Sequence, residues 1–117
     1  MSHATTATDD LELVRGTLDL LILKTLTWGA LHGYAITDSI RQRTEEAILV
    51  EEGALYPALH RLEKRGWVEA EWGRSENNRR AKYYKLTVEG RSRLRAQEAI
   101  WGRYTEAVGK VLEAVAP

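Results

Sequence analysis

A chain of 117 residues, 44% hydrophobic and 29% charged, suffices for one domain with a modest core and is not the composition of a disordered protein. Cysteine is absent, which excludes disulfides and thiolate metal sites, and the formal net charge is zero. Residues 1–8 lack the charged-then-apolar order of a signal peptide, and the longest apolar stretch, residues 18–26, is broken by Asp19 and Lys24; a soluble cytoplasmic protein with no membrane partner is expected.

The zero balance hides an asymmetry. Residues 60–95 carry eleven Lys and Arg against five Asp and Glu, an excess of six positive charges, and the rest of the chain carries the same excess of negative ones. Such a distribution preserves solubility while concentrating a positive field on one surface.

In chain order, Asp9 and Asp10 are expected to cap a first helix over residues 11–27, whose apolar face is Leu11, Val14, Leu18, Leu21, Ile22 and Leu26. Gly16 falls inside that run, where glycine costs helix stability and implies a closely packed neighbour. Trp28-Gly29 ends it. His32-Gly33-Tyr34 opens a second helix reaching about residue 44, with Tyr34, Ile36 and Ile40 as its apolar contacts. Ile48-Leu49-Val50 reads as a short edge strand.

Residues 53–66 form a two-faced helix. Leu55, Leu59 and Leu62 recur at helical spacing, and Pro57, His60, Arg61 and Lys64 occupy the opposite side. Gly66 is a natural left-handed cap. A basic hairpin follows: a strand over residues 67–72, with Val68, Ala70 and Trp72 on one face and Glu69 and Glu71 on the other, a turn over 73–80, and a strand over 81–86. Thr87 caps a long last helix with Glu89 in its first turn. Leu94, Gln97, Trp101, Tyr104, Val108, Val111 and Val115 repeat at alternating three- and four-residue steps, a heptad seam that needs a partner. The economical partner is a second copy of the chain; the bland alternative is packing onto the first helix of the same chain.

The pattern specifies an α+β fold, mainly α with a small β-hairpin: a winged helix-turn-helix plus a long C-terminal dimerisation helix. The expected divisions are a flexible tail over residues 1–10, a DNA-binding domain over 11–87 and the dimerisation helix over 88–117.

Three segments resemble the PadR family of transcriptional regulators: Gly16-Thr17-Leu18-Asp19-Leu20-Leu21-Ile22-Leu23 with His32-Gly33-Tyr34, then Gly53-Ala54-Leu55-Tyr56-Pro57-Ala58-Leu59 through Leu62 and Gly66, then Lys82-Tyr83-Tyr84-Lys85-Leu86-Thr87 with Gly90. The resemblance covers about residues 12–112. It implies a dimeric winged-helix repressor, similar to the small subgroup with a single C-terminal helix. In multidrug-sensing members of that subgroup a tryptophan of the last helix stacks on flat aromatic ligands at the dimer centre, and Trp101 holds the matching position. One departure is Glu51-Glu52, where many members have Ser, Thr or Pro. Two carboxylates suit a helix N-terminus but repel DNA phosphates.

The residues expected to meet duplex DNA are Tyr56, Pro57, His60, Arg61 and Lys64 on the recognition helix and Arg79, Arg80 and Lys82 on the wing. Arg61 is the candidate for base reading, because its fork can bond guanine bidentately, whereas Lys64 and the Tyr56 phenol suit phosphate. The expected dimer interface is Leu94, Trp101, Tyr104, Val108, Val111 and Val115. A planar aromatic effector would be held by Trp101 with Glu98 and Thr105 on the same stripe and Asp19 and Ile22 facing from the first helix; a carboxylate there would favour a cationic compound. His3, His32 and His60 share no metal-binding spacing, and His32 reads as part of the turn before the second helix. With no phosphate loop, nucleophile motif or paired carboxylates, neither an enzyme nor a cofactor is expected. The reading is a homodimeric repressor on a near-palindromic operator, its recognition helices about 34–36 Å apart. The alternative is a winged-helix protein-interaction module without sequence-specific DNA binding.

Overall fold

Gly16 adopts a φ of 86°, in the left-handed region, and the first helix begins immediately after it. In this computed structural model, which describes residues 16–117, the elements are α1 (Thr17–Thr25), a single 3₁₀ turn (Leu26–Trp28), β1 (Leu31–His32), α2 (Gly33–Arg43), α3 (Glu52–Lys64), β2 (Val68–Arg74), β3 (Arg80–Leu86) and α4 (Val88–Leu112). Gly16 therefore precedes α1 rather than interrupting it. The expected caps Asp9 and Asp10, the tail and residues 11–15 lie outside the described residues. Gly29, at φ 140°, turns the chain out of the 3₁₀ turn as expected.

α2 opens where the sequence placed it. His32 is its N-cap, and its Nδ1 accepts the Ala35 amide at 3.2 Å, which satisfies one of the free donors of the first turn. Residues 48–50 do not form a strand. The free edge of β3 is taken by β1, with Leu31 opposite Tyr84 and His32 opposite Tyr83, so the sheet order is β1-β3-β2. Ile48 and Val50 instead pack their side chains against the core.

α3 buries Leu55, Ala58, Leu59 and Leu62 and ends before Gly66, whose φ of 78° makes it the left-handed cap. Ile22, Leu23, Leu26, Ile36, Leu55, Leu59, Leu62 and Val68 are fully buried and join three helices to the sheet. Burying each such side chain stabilises the fold by about 1.5–3 kcal/mol.

The hairpin is tighter than the turn-like composition implies. β2 and β3 pair from Val68 opposite Leu86 to Arg74 opposite Arg80, which leaves residues 75–79 as the loop. Asn78 sits at φ 59°, and the Ser75 Oγ accepts the Arg79 amide at 3.3 Å. Local side-chain bonding and a left-handed asparagine close this tip without glycine.

Thr87 staples the hairpin to α4. Its hydroxyl accepts the Gly90 amide at 2.9 Å and donates to the Gly66 carbonyl at 2.6 Å. α4 comes so close at Gly90 that a Cβ there would stand 1.9 Å from the Trp67 carbonyl oxygen. Leu94 is 4% exposed and belongs to the chain's own core. It therefore leaves the expected interface, and α4 is continuous with the core through its second turn rather than separate from residue 88 onward. Beyond Leu94 the helix projects, with Ile100, Tyr104, Val111 and Leu112 more than half exposed. Val115 follows the helical segment, which ends at Leu112. Among the described residues no helix is long and apolar enough to cross a membrane.

Candidate DNA interface and the groove beside the last helix

With Leu55, Ala58, Leu59 and Leu62 turned inward, helical geometry leaves Ala54, Pro57, His60, Arg61 and Lys64 on one exposed face of α3. The first half of that face is small or ringed, which lets another surface approach the backbone closely, and the second half is basic. Arg61 differs from the sequence expectation. Its Nη2 lies 2.9 Å from Oδ1 of Asp19, a carboxylate only 18% exposed on α1. The guanidinium assigned to base reading is thus held back against α1, and reaching a base edge requires exchanging that bond. His60 and Lys64 have no hydrogen-bond or ion-pair partner among the described residues. Glu51 and Glu52 stand exposed at the start of α3, as the sequence implied.

Tyr56 is 45% exposed and leans over the start of α2. A Cβ at Gly33 would meet its hydroxyl and ring carbons at 2.4–3.0 Å, so the absence of a side chain at Gly33 lets the phenol rest there. The α2 N-terminus, α3 and the wing thereby share one surface.

Along the inner face of β3, Leu86 and Tyr84 are buried, Lys82 is half-buried and Arg80 is exposed, a change from apolar to cationic as the strand leaves the body. Burial, helped by the nearby Glu63 carboxylate, pushes the Tyr84 hydroxyl above its usual range. Lys82 keeps a long contact of 3.9 Å with Glu63. The Arg80 guanidinium lies 4.3 Å from the centre of the Trp72 indole. Together with Arg79 and the rings of Tyr34 and Tyr56, these residues bound an open groove of about 580 Å³.

Tyr34 and Trp72 were expected as an apolar contact of the second helix and a residue on one strand face, not among the residues meeting DNA. Trp72 could have been found by register alone, since a hairpin with Trp72 opposite Lys82 places Arg80 diagonally across from it. Two further tryptophans carry cations: Arg43 lies over Trp28 at 4.3 Å, and Arg65 and Arg93 lie over Trp67 at 5.1 and 4.9 Å.

A second concavity of about 380 Å³ separates α1 from α4, lined by Gly16, Thr17, Leu20, Gln97, Ile100, Trp101 and Tyr104. Trp101 and Tyr104 form a tilted pair with centroids 6.2 Å apart. The buried Thr17 hydroxyl has no hydrogen-bond partner among the described residues. The residues expected around Trp101 are otherwise engaged. Ile22 is fully buried in the core, Asp19 bonds Arg61, and Glu98 pairs with Lys24 at 3.2 Å. Thr105 bonds the Trp101 and Gly102 carbonyls of its own helix. α1 thus presents Thr17 and Leu20 to Trp101, two residues before the expected pair and so on a different face of the helix, and no carboxylate lines the groove.

Four helices with a three-stranded antiparallel sheet, a basic-faced third helix and a cationic wing define a winged-helix, DNA-binding transcriptional regulator. The chain belongs to the transcriptional regulator PadR-like family, whose model matches residues 22–96. It is similar to a transcriptional regulator from Clostridium thermocellum, at 34% identity over 82% of this chain and 93% of that one, with a TM-score of 0.75. It is also similar to a PadR family regulator from Eggerthella lenta, at 38% identity over 86% of both chains, with a TM-score of 0.74. An uncharacterized protein of Lysinibacillus sphaericus is 30% identical over 102 residues, which cover 87% of this chain and 94% of that protein.

Proposed function

We propose that the protein is a homodimeric repressor that binds a near-palindromic operator through α3 and the wing and releases it when a planar aromatic compound occupies the groove beside Trp101. The observation that carries the DNA part is the exposed face of α3, with His60 and Lys64, next to a wing groove that Arg79, Arg80 and Lys82 line together with Tyr56 of α3. Side chains at His60 and Arg61 read base edges, Arg61 after giving up Asp19, and Lys64, Tyr56 and the wing cations meet phosphates. In this reading residues 11–87 supply the DNA-binding unit and the part of α4 beyond Leu94 joins two copies.

Dimerisation follows from exposed apolar surface. Ile100, Trp101, Tyr104, Val108, Val111 and Leu112 lie along one projecting helix, more than a small soluble domain ordinarily leaves to water. A second α4 would cover them and set the distance between the recognition helices. The groove between α1 and Trp101 has the volume of a small-molecule site. Its lining favours a neutral planar compound over a cation, with the Thr17 hydroxyl and the Gln97 amide as polar partners. A ligand there shifts the dimer toward a spacing unsuited to successive major-groove faces, to the extent that it binds that state more tightly.

Selection of bound duplexes from a random pool, followed by footprinting, tests this reading. Two similar half-sites about one helical turn apart, about 10–10.5 base pairs, are expected. An unenriched pool would overturn sequence-specific binding, and a single half-site footprint would overturn the symmetric dimer.

A further inference from the structure

The inner face of the wing ends at Trp72, a side chain to which the reading above gives no role. Trp72 is 55% exposed although it shares its face of β2 with buried Val68. At that end of the hairpin the sheet has outrun the core, and the indole belongs neither to it nor to the side chains packed against it. What lies over it is Arg80, at 4.3 Å. Arg79 and Lys82 stand on the same wall of the groove, Tyr34 and Tyr56 form the wall opposite, and no carboxylate lines it. Tyr34 is 72% exposed, too open for a core residue.

We propose that this groove seats one sugar–phosphate strand of duplex DNA, and that Trp72 is a positioning residue holding the Arg80 guanidinium toward it. The proposal rests on the DNA-binding reading above and extends it to the wall of the wing that faces α2. A guanidinium stacked on an indole spends only its flat face; its N–H donors lie in the ring plane and stay free for phosphate oxygens. An arginine on an exposed strand end would otherwise sample many rotamers, and ordering it on binding would cost side-chain entropy. The stack removes much of that cost beforehand. The tyrosines opposite supply hydroxyl donors and ring edges suited to phosphate and deoxyribose. Contacts of this kind are indifferent to sequence, so the groove adds affinity and register without changing which operator is chosen.

The test is fluorescence anisotropy on a labelled random-sequence duplex between about 50 and 200 mM salt. The chains compared are wild type, Trp72→Ala, Trp72→Phe, Arg80→Ala and the Trp72→Ala/Arg80→Ala double variant, each with its Tm recorded. Trp72→Ala should weaken binding about threefold to tenfold. Arg80→Ala should weaken it further and reduce the slope of log affinity against log salt by about one. The double variant should bind no worse than Arg80→Ala alone, and Trp72→Phe, which keeps a π face, should retain most of the affinity. A merely structural tryptophan would weaken binding equally in both backgrounds. That result, or wild-type affinity in Trp72→Ala, overturns the proposal. If Trp72→Ala lowers the Tm, Trp72→Leu, with bulk but no π face, replaces it in the same cycle. Absence of duplex binding by the wild type would overturn the DNA-binding reading, and the groove proposal with it.

Discussion

Replacing Gly90 by alanine should loosen the joint between α4 and the hairpin. A Cβ at residue 90 would stand 1.9 Å from the Trp67 carbonyl oxygen, 2.9 Å from its carbon and 3.2 Å from a Leu86 methyl. The first two are backbone atoms, so no rotamer change relieves the clash, and α4 would have to move by about 1.5 Å to restore ordinary contact. That displacement pulls on the Thr87 hydroxyl, which bridges the Gly66 carbonyl and the Gly90 amide, and on buried Leu94 one turn further on. Overpacking ordinarily costs about 1–3 kcal/mol and more where backbone meets backbone; at about 3–5 kcal/mol for this clash, against about 1 kcal/mol gained in helix propensity, the net loss should be about 2–4 kcal/mol. For a domain of this size that is a fall in Tm of about 10–25 °C, read by circular dichroism at fixed protein concentration. Gly102→Ala is the control: no atom lies within 4 Å of its Cβ position, and it should leave the Tm unchanged or raise it. A Tm for Gly90→Ala within about 2 °C of wild type would refute the close helix–hairpin approach.

Three further outcomes follow from the same geometry. Because the Tyr84 hydroxyl is raised in the folded state, the stability it contributes is full below the unfolded value of about 10 and is lost as pH rises through the folded value; urea melts from about pH 8 to 11 should show that decline, less steep in Tyr84→Phe. Lys64→Ala and Arg79→Ala should each weaken binding to all duplexes about equally and reduce the salt slope by about one, with no change in the preferred operator. Val108→Asp, at a position exposed in the isolated chain, should leave the secondary structure intact and halve the molar mass measured by light scattering; a variant that stays dimeric would exclude this stretch of α4 as the interface.

Much of the architecture was legible because local signals agreed with one another. The leucine spacing, the glycine cap at Gly66 and the Thr87 cap placed α3 and the start of α4 within a residue or two, and the alternation after Trp67 placed the wing. What the sequence concealed depended on competition between distant segments. Ile48-Leu49-Val50 has strand chemistry, but the only available edge of β3 was already claimed by Leu31 and His32. Leu94 fits the heptad repeat yet is consumed by the core, because Gly90 lets α4 sit tightly on the hairpin. The exposed face of α3 was predictable from helical periodicity. The partners of its charges were not, since Asp19 and Arg61 are 42 positions apart. The same holds around Trp101, where a shift of two residues along α1, to a different face of the helix, exchanges Asp19 and Ile22 for Thr17 and Leu20 and turns an anionic pocket into a neutral one.

The most direct test of the central claim is fluorescence anisotropy with the promoter DNA upstream of the protein's own gene, at low and moderate salt, in the presence of competitor duplex, for wild type, Arg61→Ala and Lys64→Ala. The account predicts binding that resists competitor, a loss of operator preference in Arg61→Ala, and a sequence-independent weakening in Lys64→Ala with a shallower salt dependence. Weak binding that competitor abolishes and neither substitution alters would contradict an autoregulatory repressor reading DNA through α3, and would favour the protein-interaction module.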